Sequence, residues 1–103
     1  MEIRFFHTEI EQFIATLEKS TIAKVLRTFD LLETFGYRLG MPHSKKIDTS
    51  LFELRIRGVQ EVRFLYTFRK GEIVIVLHGF VKKSQKLALK ERKLAQQRKI
   101  SLT

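Results

Sequence analysis

Apolar residues recur at two spacings along this 103-residue chain, and the change of spacing separates a helical part from a sheet-forming part. After a short apolar stretch at residues 3–6, the next two stripes have the i, i+3, i+4, i+7 spacing of helices with one buried side. We predict an αα-hairpin, with Thr8 and then Ser20 or Thr21 as helix caps and Gly36 at the end of the second helix. The predicted buried positions are Ile10, Phe13, Ile14 and Leu17 in the first helix and Ile22, Val25, Leu26, Phe29 and Leu32 in the second.

The second half of the chain alternates between apolar and polar residues, which is the period of β-strands. Residues 37–50 contain Gly40 and the single proline, Pro42, and we predict a loop there. Strands follow at 51–57 and 61–68, and the continuous apolar run at 72–81 predicts a strand in the interior of the sheet. From Ser84 onward the pattern indicates a basic helix.

The predicted element order is β-α-α-β-β-β-α, which is typical of the α+β class. The apolar stripes of both early helices need a sheet surface to cover. We therefore predict a two-layer fold in which an antiparallel sheet has the αα-hairpin on one face and carries a basic C-terminal helix. A chain of 103 residues is long enough for one hydrophobic core, so we expect a single domain over residues 1–103.

Charge and cysteine content narrow the function classes. Twenty Lys and Arg residues oppose 11 Asp and Glu residues, and the resulting net charge of +9 favours nucleic acid, an anionic membrane or an acidic protein as partner. The absence of cysteine excludes disulfides, and no histidine has a second ligand at metal-binding spacing, so we expect no metal or other cofactor. The first residues lack the apolar region of a signal peptide and no apolar run approaches about 20 residues, so we expect a cytoplasmic protein without membrane association.

Three arginines are candidates for binding phosphate. Arg55 and Arg57 alternate with apolar residues in their strand, so they should point to the sheet face opposite the αα-hairpin, and Arg63 on the next strand should join them. Guanidinium groups form bidentate, charge-assisted bonds to phosphate. The alternative interpretation is that these are ordinary solvated charges, partly neutralised by Glu53 and Glu61.

The segment HGFVKKSQK, residues 78–86, brings further cations to the end of the interior strand. Lys82, Lys83 and Lys86 could anchor phosphate or, where crowding lowers a lysine pKa, transfer protons. His78 is a candidate acid or base, or else a partly buried, hydrogen-bonded residue. The basic tail that includes Lys90 is either a solvated helix on the sheet or one wall of a nucleic-acid groove.

These segments, taken in order, resemble a known family. The runs LFELRIRG, VRFLYTF and GEIVIVLHGFVKKSQK, preceded by two helices and LGMPHSKKI, are similar to the RelE/HigB-like toxins of bacterial type II toxin–antitoxin modules, in particular the phage-derived Gp49-like branch. The resemblance extends from the second helix to the last one. It implies a RelE-like fold and a ribosome-dependent mRNA endonuclease, which acts by metal-independent attack of a ribose 2′-hydroxyl on the adjacent phosphate. It also implies a cognate antitoxin, of helix-turn-helix HigA-like type, as partner, and no small-molecule ligand.

The resemblance also assigns roles by position. Arg63 resembles the strand arginine that contacts the scissile phosphate, and Lys83 resembles the basic residue that stabilises the transition state. The positions that resemble RNA-binding residues around the groove are Arg55, Arg57, Lys82, Lys86 and Lys90. The chain departs from the family where SQKLALKERK has neither tyrosine nor histidine and lacks Lys-Thr-Pro, so acid–base roles fall to lysine, arginine or His78.

Two other functions fit the same features. A ParE-like inhibitor of DNA gyrase would share the fold and use its positive face to dock a protein. A non-catalytic RNA-binding remnant would explain the missing tyrosine, since Tyr66 alternates onto the face of Phe64 and Phe68 and is expected in the core. With any of the three, an acidic or amphipathic antitoxin segment should neutralise the cations or displace the last helix.

Overall fold

A computed structural model describes residues 1–84 and 89–102 of the chain. A single turn of 3₁₀ helix at Gly36–Arg38 follows the helical hairpin. The strands and helices run in the order β1 (Glu2–Phe5), α1 (Thr8–Ala15), α2 (Lys19–Phe35), β2 (Ser44–Asp48), β3 (Leu51–Ile56), β4 (Val62–Arg69), β5 (Ile73–Val81) and α3 (Leu89–Ser101). Among the described residues, none of the helices has both the length and the apolarity needed to span a membrane.

The five strands form one sheet in the order β1-β5-β4-β3-β2. Strands β3, β4 and β5 are antiparallel neighbours, as predicted. Strand β2 pairs antiparallel with β3, and β1 runs parallel to β5 at the sheet edge. A parallel pair needs a long crossover connection, which the helical hairpin begins. Strand β5 lies between β1 and β4, which confirms its predicted interior position. The α+β class and the two-layer arrangement are likewise confirmed.

One face of the sheet, here called the hairpin face, is covered by α1 and α2. The predicted stripes pack against the inward side chains of β3, β4 and β5, and Val25, Leu32 and Phe64 are completely buried. Each such side chain contributes about 1.5–3 kcal/mol when it leaves water. The expectation for Leu26 is wrong, because this residue is 54% exposed on the outer side of α2.

The opposite face, here called the second face, is partly covered by α3. Ala95 packs there on Leu51, Leu65 and Leu77, all completely buried. Leu77 shares this face with Ile75, two residues earlier in β5, and the register of β4 against β5 shifts at this point. Since α3 offers few apolar residues, much of its attachment is polar, and Arg98 donates to the carbonyl of Leu77 at 2.7 Å. The helix therefore rests on the sheet, as one of the two interpretations of the tail predicted.

Three local predictions need correction. Residues Ser44–Asp48, within the predicted loop, form edge strand β2. Its exposed lysines are typical of edge strands, and because of them the segment lacks the apolar alternation that predicts a strand. Helix α1 is capped by His7, whose Nδ1 accepts from the backbone N–H of Glu9 at 3.0 Å, because His7 and not Thr8 has the extended backbone of a cap. Helix α2 begins at Lys19, after Glu18, and not at Ser20 or Thr21.

Candidate nucleic-acid interface

A polar depression of about 550 Å³ opens on the second face, at the end of the sheet that α3 leaves uncovered. We call it the basic depression. Five of its lining residues are cationic, and the lining consists of Arg55, Arg57, Glu61, Arg63, Lys82, Lys83 and Ser84. The structure thus brings together five of the eight residues predicted from sequence to contact RNA or take part in catalysis.

Strand register explains why residues distant in sequence meet here. Arg55 on β3 lies directly opposite Arg63 on β4, and Arg63 lies opposite Phe80 on β5. Beyond the last paired residues, the backbone N–H of Lys82 donates to the carbonyl of Glu61 at 2.7 Å. This bond holds the residues after β5 beside the start of β4. Lys82 and the exposed Lys83 therefore lie at the rim of the depression.

Arg63 is a buried guanidinium held between two carboxylates. Its side chain is 3% exposed, its Nη2 lies 3.2 Å from the carboxylate of Glu61, and its Nη1 donates to the carbonyl of Val62 at 3.0 Å. Its Nε lies 3.9 Å from Glu53, too far for a hydrogen bond, and has no other partner among the described residues. One N–H donor of a fixed cation is therefore unused.

Glu53 connects the two opposed arginines. Its carboxylate is 4% exposed and accepts from Nε of Arg55 at 3.1 Å while facing Arg63 on its other oxygen. Two like charges directly opposite each other in a sheet repel, and a buried carboxylate between them offsets that repulsion. Glu53 thereby fixes the guanidiniums of Arg55 and Arg63 on the second face.

Comparison with known proteins now identifies the family. Residues 12–99 match the profile of the phage-derived protein Gp49-like family (DUF891). The chain belongs to this family. Gp49-like proteins are RelE-like toxins of toxin–antitoxin modules, so this chain is a toxin whose partner is an antitoxin. No protein with a curated description matches the chain.

In this Gp49-like toxin, His78 lies on the same face as Arg63 but is bonded to α3. Its Nε2 is hydrogen-bonded to the carboxylate of Glu91, and its ring stacks on Phe80 with centroids 5.5 Å apart. The residue is partly buried and hydrogen-bonded, as one of the two interpretations predicted, and it does not line the basic depression. Glu91, which sequence reasoning did not single out, is the partner that holds it.

The two remaining predicted residues lie in the tail of the Gp49-like toxin. Lys86 falls outside the described residues. Lys90 is exposed in the first turn of α3 and is not part of the lining of the depression. Within residues 1–84 and 89–102, no group of three or more His, Cys, Asp or Glu side chains is placed to hold a metal ion.

Tyr66 belongs to the core, as predicted. It is 1% exposed on the hairpin face, and its hydroxyl shares a hydrogen bond with Oγ of Ser44. Burial raises the pKa of the Tyr66 hydroxyl, while the bond to Ser44 opposes that shift. The phenol is thus removed from the basic depression by the thickness of the sheet.

Two carboxylates outside the depression secure α3. A hydrogen bond from Arg98 holds the pKa of Glu9 below its ordinary value of 4.5. The backbone N–H of Thr49, and then the guanidinium of Arg92, hold the pKa of Asp48 below 3.8. The arginines of α3 are therefore used for attachment to the sheet.

Proposed function

We propose that this Gp49-like toxin is an endoribonuclease that cleaves mRNA on the translating ribosome and so inhibits translation. The observation that carries the proposal is the basic depression, where five cations converge and Arg63 is held in place by Glu61 and the carbonyl of Val62. Such a site suits the phosphate of a single RNA strand, because donors that are already oriented need little reorganisation when negative charge develops.

The reaction would be attack of a ribose 2′-hydroxyl on the adjacent phosphorus atom. The bond to the 5′-oxygen breaks, and the products are a 2′,3′-cyclic phosphate and a free 5′-hydroxyl. The phosphate gains negative charge during attack, and Arg63 and Lys83 stabilise that charge. Arg55, Arg57 and Lys82 hold the phosphates on either side, as charge-assisted bonds from guanidinium and ammonium groups do.

Two proton transfers accompany the attack. The 2′-hydroxyl must lose a proton and the 5′-oxygen must gain one. Among the described residues that line the depression, Glu61 provides the carboxylate that can accept the first proton, and it already lies 3.2 Å from Arg63. We assign donation of the second proton to the ammonium group of Lys83, at the exposed rim.

Lys83→Ala tests this assignment with little risk to folding, since the side chain is exposed. The matched control is Lys70→Ala, which removes an exposed lysine from the turn at the other end of β4 and β5. In a translation reaction with purified ribosomes and mapped mRNA ends, Lys83→Ala should lower the single-turnover cleavage rate about 10²–10³-fold. Lys70→Ala should leave that rate within about twofold.

Equal rates for Lys83→Ala and the wild type would show that the depression is not the reaction site. Intact mRNA with the wild-type protein, together with gyrase-linked DNA breaks, would favour the ParE-like alternative. Expression without toxicity and without cleavage would indicate an RNA-binding remnant.

A further inference from the structure

A second cavity, of about 250 Å³, lies between α2 and the end of β3. We call it the helix cavity. Two of its lining residues, Arg55 and Arg57, also line the basic depression, so the two spaces adjoin. The complete lining is Lys24, Arg27, Thr28, Leu31, Pro42, His43, Arg55, Ile56 and Arg57.

The helix cavity combines a cationic rim with an apolar floor. Lys24 and Arg27 reach it from exposed positions on α2, while Leu31, Pro42 and Ile56 form apolar surface inside it. None of the described residues that line it is acidic. A ligand that matches this surface has an apolar part and carries negative charge beside it.

The walls of the helix cavity are fixed by hydrogen bonds. Lys24 Nζ donates to the carbonyl of Arg57 at 3.1 Å, which joins α2 to the end of β3. The backbone N–H of Arg55 donates to the carbonyl of His43 at 2.8 Å, which joins β3 to the loop. The cavity is thus formed before any ligand enters.

We propose that the helix cavity is a nucleotide subsite for the mRNA strand, one nucleotide or more away from the bond cleaved in the basic depression. The strand crosses Arg55 and Arg57, a base enters the cavity against Leu31 and Pro42, and Lys24 and Arg27 hold the neighbouring phosphates. The proposal rests on the proposed endonuclease function.

Continuity of the two spaces favours RNA over an acidic peptide. A ligand that fills the helix cavity also contacts Arg55 and Arg57, which line the basic depression as well. A single RNA strand presents a flat base and a phosphate at each nucleotide, so a base suits the apolar floor of the helix cavity while the phosphates suit its cationic rim and the adjoining basic depression.

The double variant Lys24→Gln/Arg27→Gln tests the subsite, and Lys19→Gln/Lys70→Gln is its control. Both variants remove two exposed positive charges, but neither control residue lines the helix cavity or the basic depression. The probe is a fluorescent hexanucleotide RNA with 2′-O-methyl groups, which blocks cleavage. Anisotropy measurements over a range of salt concentrations give the affinity and its salt dependence.

We expect the cavity variant to bind the hexanucleotide about tenfold more weakly at 0.15 M salt, because two phosphate contacts are lost. The slope of log K against log salt should become shallower by about 1.4, since each phosphate contact on a single strand contributes about 0.7. In the ribosome assay, the cavity variant should also show a weaker base preference at one position beside the cut. The control should retain the wild-type slope and preference.

In one outcome, the wild type cleaves mRNA and the cavity variant has the same affinity, salt slope and base preference as the wild type. That result would refute the subsite and leave the proposed function intact. Failure of the wild type to cleave mRNA would instead reject the proposed function. A cavity variant that binds RNA normally but loses affinity for its antitoxin, or for ribosomes without mRNA, would show that the occupant is not the mRNA strand.

Discussion

Replacing Glu53 by glutamine removes the negative charge between two arginines in the interior of the second face. In the native protein this carboxylate accepts from Arg55 at 3.1 Å and lies 3.9 Å from Arg63. The side chains of Glu53 and Arg63 are 4% and 3% exposed, so solvent screens their interaction poorly. After the change, Arg63 retains only the partly exposed Glu61 as a carboxylate partner among the described residues.

The expected loss of stability follows from this geometry. Removing one partner of a buried ion pair costs about 3–5 kcal/mol. We take about 3 kcal/mol, the lower end of that range, because Arg63 keeps Glu61 and glutamine can still accept a hydrogen bond from Arg55. At about 4–8 °C per kcal/mol for a domain of this size, Tm should fall by about 12–24 °C.

Thermal unfolding followed by circular dichroism measures this change, with Glu33→Gln on the exposed side of α2 as control. The control should stay within about 0.5 kcal/mol of the wild type. The double variant Glu53→Gln/Arg63→Met should lose at least about 1 kcal/mol less than the sum of its single variants, because it leaves one fewer buried charge without its partner. A Tm for Glu53→Gln within about 4 °C of the wild type would refute the reasoning.

Two further predictions concern the hairpin face and α3. Tyr66→Phe leaves the buried Ser44 hydroxyl without its hydrogen-bond partner, so the free energy of unfolding, measured in urea, should fall by about 1–3 kcal/mol. The mRNA cleavage rate should stay unchanged. A large loss of rate would show that Tyr66 takes part in the reaction. The pKa values of Glu9 and Asp48 lie below their ordinary values of 4.5 and 3.8, so their stabilisation of α3 is complete above those values and is lost as the pH falls through the lower folded-state values. Amide hydrogen exchange of α3, corrected for intrinsic pH dependence, should therefore show weaker protection at about pH 3 than at about pH 6, and equal protection would contradict the assignment.

Strand alternation was enough to predict where the cations meet. The period of two placed Arg55 and Arg63 on one face, and the structure pairs them directly across β3 and β4. The same period predicts that Glu53 lies on that face, where it can neutralise part of the arginine charge. The burial of the Glu53 side chain could not be predicted from the sequence. It depends on neighbours that are remote in sequence, including the Arg63 side chain from the next strand.

Other features depend on contacts that no local pattern contains. Strand β2 is polar, and its pairing with β3 is what makes it a strand. The partner of His78 is Glu91, 13 residues later on a helix whose position is set by Ala95 packing on the second face. The helix cavity needs α2 to lie beside the end of β3, and that proximity is a property of the fold alone.

The parallel pairing of β1 with β5 imposes an order on the folding of the newly synthesised chain. Residues 2–5 pair with residues 73–76. The first strand to be synthesised therefore cannot join the sheet until the last strand has been synthesised. Contacts of such long sequence separation form late and slow the folding reaction. The basic depression also needs Lys82 and Lys83, which follow β5. A ribosome that synthesises this toxin therefore completes most of the chain before the proposed RNA-cleaving site can form.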